Sequence, residues 1–211
     1  VKSATAEFQP DLVHVMYGGL LAALALKAIK DRPRIVSFCG VDLLGANYGP
    51  VRYRVRTWLG KMASRYAARR YTGIIVKSMN LHHGLPDEVN KDTVKIVPNG
   101  VSLDRFKPMQ MHECRQQLGW DHEKFIVLFS TTNRSNSKKR LPLAEKAVNI
   151  LKERGYNIEI KGLNKVPHDQ VAVWINAADM TLMTSRADEG SPNIIKETLA
   201  CDKPVVSLDV G

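Results

Sequence analysis

Residues 179–209, DMTLMTSRADEGSPNIIKETLACDKPVVSLD, decide the fold. The apolar run Met180–Met183 reads as a buried strand and Pro204–Leu208 as a second. Between them a polar loop leads to Ser191-Pro192, the serine as helix N-cap and the proline at the first helical position. Two parallel strands joined by a helix form a βαβ unit, and its ligands bind beyond the carboxyl ends of the strands. The unpaired N–H groups at such a helix start, together with the macrodipole, suit a phosphate. Glu189 stands just ahead of this helix and Glu197 lies inside it, with seven residues between them. Carboxylates are acceptors suited to hydroxyl groups.

The run Glu189-Gly190-Ser191-Pro192-Asn193, followed by Lys196-Glu197, Ala200-Cys201 and Pro204-Val205-Val206, resembles the retaining glycosyltransferases of family 4. The resemblance implies an α/β chain of the GT-B type: two Rossmann-like domains with parallel sheets and a nucleotide sugar in the cleft between them. It also implies roles. Glu189 would contact the donor sugar as a catalytic carboxylate. Gly190 and Ser191 would bring backbone N–H groups to the sugar and diphosphate, with Pro192 and Asn193 opening the same helix. Glu197 would bind the ribose hydroxyls. Outside this setting the two glutamates would be solvated side chains of a surface loop.

Upstream of that unit, Phe125–Ser130 (FIVLFS) is a strand, and the loop after it, TTNRSNSKKR, is rich in hydroxyl, amide and basic groups. By the resemblance an Arg and a Lys from this loop reach the donor diphosphate, to which guanidinium and ammonium groups are suited. Lys139, just before the helix Leu141–Arg154, matches the family's spacing, and Arg134 lies about one residue off it. Otherwise this is a solvated basic loop. Ile158–Ile160 is the next strand, followed by the loop GLNKVPHD and a helix through Ala177. The family's extra strand and helix have no room here, so the resemblance is to a compact branch. Asp202 replaces the usual glycine after the motif helix, and Asp tolerates the left-handed conformation of a helix end.

In the first half, Asp11–Tyr17 is a strand, Gly18-Gly19 turns into a helix, and Arg34–Phe38 is the next strand. Cys39-Gly40-Val41-Asp42 follows at its carboxyl end and resembles the family's His-Gly-x-Asp segment, with Cys39 in the His place. A neutral thiol is a poor proton carrier, so the catalytic role carries over to Asp42 alone and Cys39 reads as a small buried residue. Residues 50–71 hold seven basic side chains (Arg52, Arg54, Arg56, Lys61, Arg65, Arg69, Arg70) and no acid. Val55, Trp58, Leu59, Met62 and Tyr66 recur at helical spacing. This amphipathic helix fits an anionic membrane surface or an ordinary core-packed helix with a solvated basic face, and both stay open. Thr72–Lys77 is a strand with Ser78 capping a short helix, and the adjacent His82 and His83 read as solvated polar residues. Lys95–Val97 is a further strand, and Pro98-Asn99-Gly100-Val101 matches the family's Pro-Asn-Gly-Val segment, which puts Asn99 among the donor-side residues. Residues 105–124 read as a linker with a short helix ending at Gly119. The expected domains are therefore 1–118 (acceptor side) and 119–211 (nucleotide-sugar side), both partial.

The 211 residues carry a net charge of +10, of which residues 1–118 hold +9 and residues 119–211 hold +1. Three scattered cysteines without a CxxC pair suit a reducing cytosol and offer no zinc or disulfide framework. No apolar run reaches the ~20 residues of a membrane span, and no signal peptide is visible. No nucleic-acid module accompanies the charge. The expected activity is retaining transfer of a sugar from a nucleotide-sugar donor to the hydroxyl of a carbohydrate or lipid-linked acceptor, in polysaccharide, lipopolysaccharide or glycolipid synthesis. The absence of any Asp-x-Asp fits leaving-group stabilisation without a metal or other cofactor. The expected location is cytoplasmic, with the inner membrane face open. Two other readings remain: a GT-B-fold nucleotide-sugar epimerase, and a non-enzymatic basic module that binds membrane or nucleic acid. Because the resemblance starts part-way through the family's first domain and stops within its second, the chain reads as a fragment. Its uncovered sheet edge and faces predict self-association and no turnover in isolation.

Overall fold

The computed structural model describes residue 3 and residues 7–130, 137–186 and 189–210. Two compact units are resolved, Val1–Asn99 with Asp188–Ser191, and Gly100–Ala187 with Pro192–Val210.

In the first unit the elements run β1 (Val13–Met16), α1 (Gly19–Ala28), β2 (Arg34–Phe38), α2 (Val41–Leu44), α3 (Val51–Ala68), β3 (Gly73–Val76), α4 (Met79–His83) and β4 (Val94–Ile96). The strands pair in sequence order and all in parallel. Apolar runs without polar alternation are what a parallel sheet buried on both faces requires, and Val36, Phe38, Ile74 and Val76 form that core. Strand β1 is an edge of this sheet, and Met16 and Tyr17 at its end are exposed. Asp11 and Leu12 precede the observed strand, which is shorter than the sequence pattern suggested.

Helix α3 buries the face opposite to the one its apolar spacing indicates. Ser64, Ala67 and Ala68 are its buried residues, packed toward Ala22 and Ala25 of α1. The Tyr71 hydroxyl, just past the helix, donates to the Ala22 carbonyl at 3.0 Å. Small side chains let two helix backbones approach closely, so they take the interface. Val55, Trp58, Leu59, Met62 and Tyr66 are left exposed, Trp58 at 58%. A core-packed apolar stripe is therefore excluded for this helix.

The second unit contains α5 (Met111–Leu118), β5 (Phe125–Phe129), α6 (Leu141–Glu153), β6 (Ile158–Gly162), α7 (Val171–Ala177), β7 (Met180–Met183), α8 (Asn193–Ala200) and β8 (Val205–Ser207). Its sheet is parallel in the order β6-β5-β7-β8. Its largest core packs Ile126, Leu128, Ile175, Met183 and Ile194 together. The chain changes unit at Asn99/Gly100 and not near residue 118, because the expected linker is welded into this core. Phe106 and Cys114 are part of it. Arg115, 3% exposed, donates Nε to the Ala177 carbonyl and Nη1 to the carbonyls of Asp121, His122 and Lys124. Its Nη2 pairs with Asp179 at 2.6 Å. At the end of α8, Asp202 adopts the left-handed conformation at φ 55°. Its N–H bonds the Leu199 carbonyl while the Lys203 N–H bonds that of Thr198, which is a complete Schellman cap.

Candidate functional site

In the first unit the chain leaves β1 through Gly18-Gly19 and leaves β2 through Cys39-Gly40, at the carboxyl edge of the sheet. Both Asp42 carboxylate oxygens face this edge and are occupied by backbone donors. The N–H groups of Gly18, Cys39 and Gly40 bond them at 2.7–3.2 Å. Asp42 thus ties the turn after β1 to the turn after β2, which is a holding role for the residue carried over as catalytic. Ser64 reinforces it, donating to the Asp42 carbonyl and accepting from the Gly19 N–H at 2.7 Å. A Cβ at Gly18 would overlap Ser64 Oγ and the Phe38 ring, so glycine is required there. Cys39 is half-buried, not buried as the sequence suggested. Burial, and then the neighbouring Asp42 charge, push its thiol above the ordinary 9.0. It stays neutral at physiological pH.

The same unit includes the start of the motif. Asn99 donates its backbone N–H to Ser191 Oγ at 3.2 Å and its side-chain Nδ2 to the Ser191 carbonyl at 3.3 Å. α8 begins at Asn193 with Pro192 in the N-cap place, one residue later than the Ser-Pro pair indicates. Gly190 is buried with no room for a side chain: an added Cβ would run into the Cys39 carbonyl and the Leu81 side chain. Glu189, half-buried, immediately precedes it.

In the second unit the central feature is Glu197 on α8, 9% exposed. Burial pushes its carboxyl above the ordinary 4.5, against the opposing pull of His168, Lys196 and Arg105. His168 Nε2 stands 3.8 Å from Glu197 Oε1. Arg105 Nη1 bonds the other ring nitrogen, Nδ1. A guanidinium can only donate, so Nδ1 accepts, and in neutral His168 the proton sits on Nε2 facing the carboxylate. Phe106 holds the imidazole edge-to-face at 5.8 Å between centroids. The rotation of α8 is fixed by the buried pair Thr181–Thr198, whose hydroxyls are 2.9 Å apart. The result is one buried carboxylate backed by an Arg–His pair, an arrangement that can accept hydrogen bonds from a vicinal diol.

Lys139 lies in the segment that enters α6, after the carboxyl end of β5. Thr184, just past β7, donates its hydroxyl to the carbonyls of Lys139 and Arg140 at 2.8 and 3.1 Å. The Arg186 N–H bonds the Lys138 carbonyl at 3.1 Å, so this segment is laced to the end of β7. Arg134 lies outside the described residues. The structure thus gathers Asn99, Gly190 and Ser191 beside Cys39 in one unit. In the other, Asn193 and Glu197 share α8, and Lys139 stands at the same sheet edge. Arg105 and His168 were not found from sequence: one lay in the supposed linker, the other in a loop, with no pattern to join them.

Residues 1–105 match the sequence profile described as Glycosyltransferase Family 4. That match covers the first 105 of the 211 residues. Among curated relatives, a Bacillus subtilis (strain 168) protein named as a teichuronic acid biosynthesis glycosyltransferase, TuaC, is 24% identical over 97% of this chain and 54% of its own length. D-inositol 3-phosphate glycosyltransferase 1 of Catenulispora acidiphila is 24% identical over 57% of this chain and 36% of its own. The sucrose-phosphate synthase of Thermosynechococcus elongatus superposes on the whole chain with a TM-score of 0.75 at 19% identity, covering 59% of that protein. Anabaena Alr3699/HepE, solved in complex with UDP, does so with a TM-score of 0.69 at 17% identity, covering 63%. The fold is the GT-B type with two parallel-sheet Rossmann-like units. The chain spans about half of the TuaC relative's length and about three-fifths of the sucrose-phosphate synthase.

Proposed function

We propose that this chain is the core of a retaining glycosyltransferase that moves a sugar from a nucleoside diphosphate to an acceptor hydroxyl in polysaccharide, lipopolysaccharide or glycolipid synthesis. Glu197 carries the reading. A buried carboxylate whose protonation is favoured by burial destabilises its own unit at neutral pH, and a binding partner that brings hydroxyl donors is the compensation such a group lacks. The ribose of the donor supplies those hydroxyls, and Glu189 faces the sugar. Lys139 and the N–H groups at the start of α8 take the diphosphate, assisted by Arg134, so the leaving group is stabilised by protein charge and dipoles without a metal. The UDP complexes of Alr3699/HepE support a nucleotide-sugar donor. Titrating the chain with UDP, GDP and their sugars tests the reading. Saturable binding that is lost in Glu197→Ala supports it, and equal binding in both rejects it. Product analysis with an acceptor separates transfer from epimerisation, and Glu189→Ala lowers turnover more than affinity.

The exposed face of α3 supports a membrane-surface location. Arg52, Arg54 and Arg56 are exposed alongside Val55, Trp58 and Leu59. Among the described residues no helix is long and apolar enough to cross a membrane. Each basic residue near an anionic bilayer contributes about 1 kcal/mol. Replacing Arg52, Arg54, Arg56 and Lys61 by Glu abolishes co-sedimentation with anionic vesicles at low salt. Unchanged sedimentation of a folded variant rejects the location.

A further inference from the structure

Ser185 is 2% exposed, and its Oγ is buried without a hydrogen-bond partner. A buried hydroxyl left unmatched is rare in folded proteins and calls for an explanation. Its place in the fold supplies one. Side chains alternate along β7 and its extension: Thr181 and Met183 face α8 and its core, while Thr184 bonds the segment entering α6 on the other face. Ser185 therefore lies on the α8 face. The helix returns the chain between two parallel strands, so it runs antiparallel to β7, and the Thr181–Thr198 pair sets the two in register. From Thr181 to Ser185 the chain advances about 13 Å at ~3.3 Å per residue. From Thr198 back to Asn193 the helix covers only about 7.5 Å at 1.5 Å per residue. Ser185 thus stands about 6 Å beyond the first helical residue, in front of the helix mouth. Pro192, in the N-cap place, contributes no side-chain hydrogen bond to that mouth. The unpaired hydroxyl and the start of α8 thus lie at the same end of the unit.

We infer that Ser185 is a further donor-binding residue, whose Oγ–H donates to a terminal-phosphate oxygen of the nucleoside diphosphate held at the start of α8. The inference rests on the donor reading above and adds a contact that neither the motif nor the resemblance assigns. Its chemistry is a neutral hydroxyl donor to an anionic oxygen, and the second phosphate is the one it reads. Isothermal titration of the full chain and of Ser185→Ala with UDP, GDP, UMP and GMP tests it. The alanine variant should bind its preferred diphosphate about tenfold more weakly, the equivalent of one hydrogen bond to a charged group. The matching monophosphate should bind both proteins equally, and the melting temperature should not fall, since no protein hydrogen bond is lost. Equal diphosphate affinity in the two proteins, an equal loss for monophosphate, or a lowered melting temperature each overturns the assignment to Ser185. Absence of any nucleotide binding by the wild-type chain overturns the donor reading and this inference with it.

Discussion

Glu197→Gln separates a functional carboxylate from a structural one, because the two roles predict opposite signs. Glutamine keeps the shape and one acceptor oxygen but removes the charge. Burial raises the Glu197 pKa above 4.5, so the folded state favours the protonated form. Stability contributed by that preference is complete below the ordinary value and is lost as pH rises through the raised one. As pH rises the wild type must hold a buried charge against that preference, with His168, Lys196 and Arg105 offsetting it in part, while the variant holds none. The variant should therefore melt higher than wild type at neutral pH, with the gap closing toward pH 4. Donor affinity moves the other way. The bond between a ribose hydroxyl and an ionised acceptor is worth about 1.5–3 kcal/mol, so its weakening should raise Kd for the preferred nucleoside diphosphate about tenfold to a hundredfold. Differential scanning fluorimetry across pH gives the first quantity and isothermal titration the second. A variant that melts lower at every pH, or binds within twofold of wild type, refutes the reasoning.

Arg115→Ala strands Asp179 and four backbone carbonyls, so its urea midpoint should correspond to a loss of about 3–5 kcal/mol; a shift under 1 kcal/mol would mean that water replaces the guanidinium. Gly190→Ala drives a Cβ into the Cys39 backbone carbonyl, and about 1–3 kcal/mol of strain should appear in the same measurement. Asp42→Asn turns an amide N–H toward three backbone donors, so stability should fall while UDP or GDP affinity holds; a selective loss of turnover without destabilisation would return Asp42 to a catalytic role. Light scattering should show self-association that recedes when Trp58 and Leu59 are replaced by Ser, and a monodisperse monomer at high concentration would show that the exposed α3 face is innocuous.

Most strands were legible because a short, mainly apolar run of four or five residues, rich in β-branched and large side chains and bounded by turn residues, has few other uses. Arg34–Phe38 and Met180–Met183 are the observed strands to the residue. The left-handed turn at Asp202 was legible for the same local reason. What failed depended on partners distant in sequence. The α3 pattern pointed to the wrong face, since hydrophobic spacing cannot say whether large or small side chains meet the neighbouring helix. The recurrence Gly60, Ser64, Ala67, Ala68 was the overlooked signal. Arg115 looked like a linker charge because its acceptors are carbonyls that any residue supplies. The motif positions were readable, but the Arg105–His168 support of Glu197 spans 63 and 29 residues, and only folding joins them.

The Thr181–Thr198 bond has a mechanical consequence. A two-turn helix lying on a sheet can roll about its own axis at little cost, and a side chain at its surface sweeps an arc. With side-chain tips about 6 Å from the axis, a 10° roll carries the Glu197 carboxylate about 1 Å. A misplacement of that size can cost a hundredfold in rate. One residue along the helix from Glu197, the buried hydroxyl pair acts as a pin against torsion. Thr198→Val should keep the fold, cost about 1–3 kcal/mol of stability through the stranded Thr181 hydroxyl, and broaden the ensemble of carboxylate positions, which makes this residue a setting for aim as well as for strength.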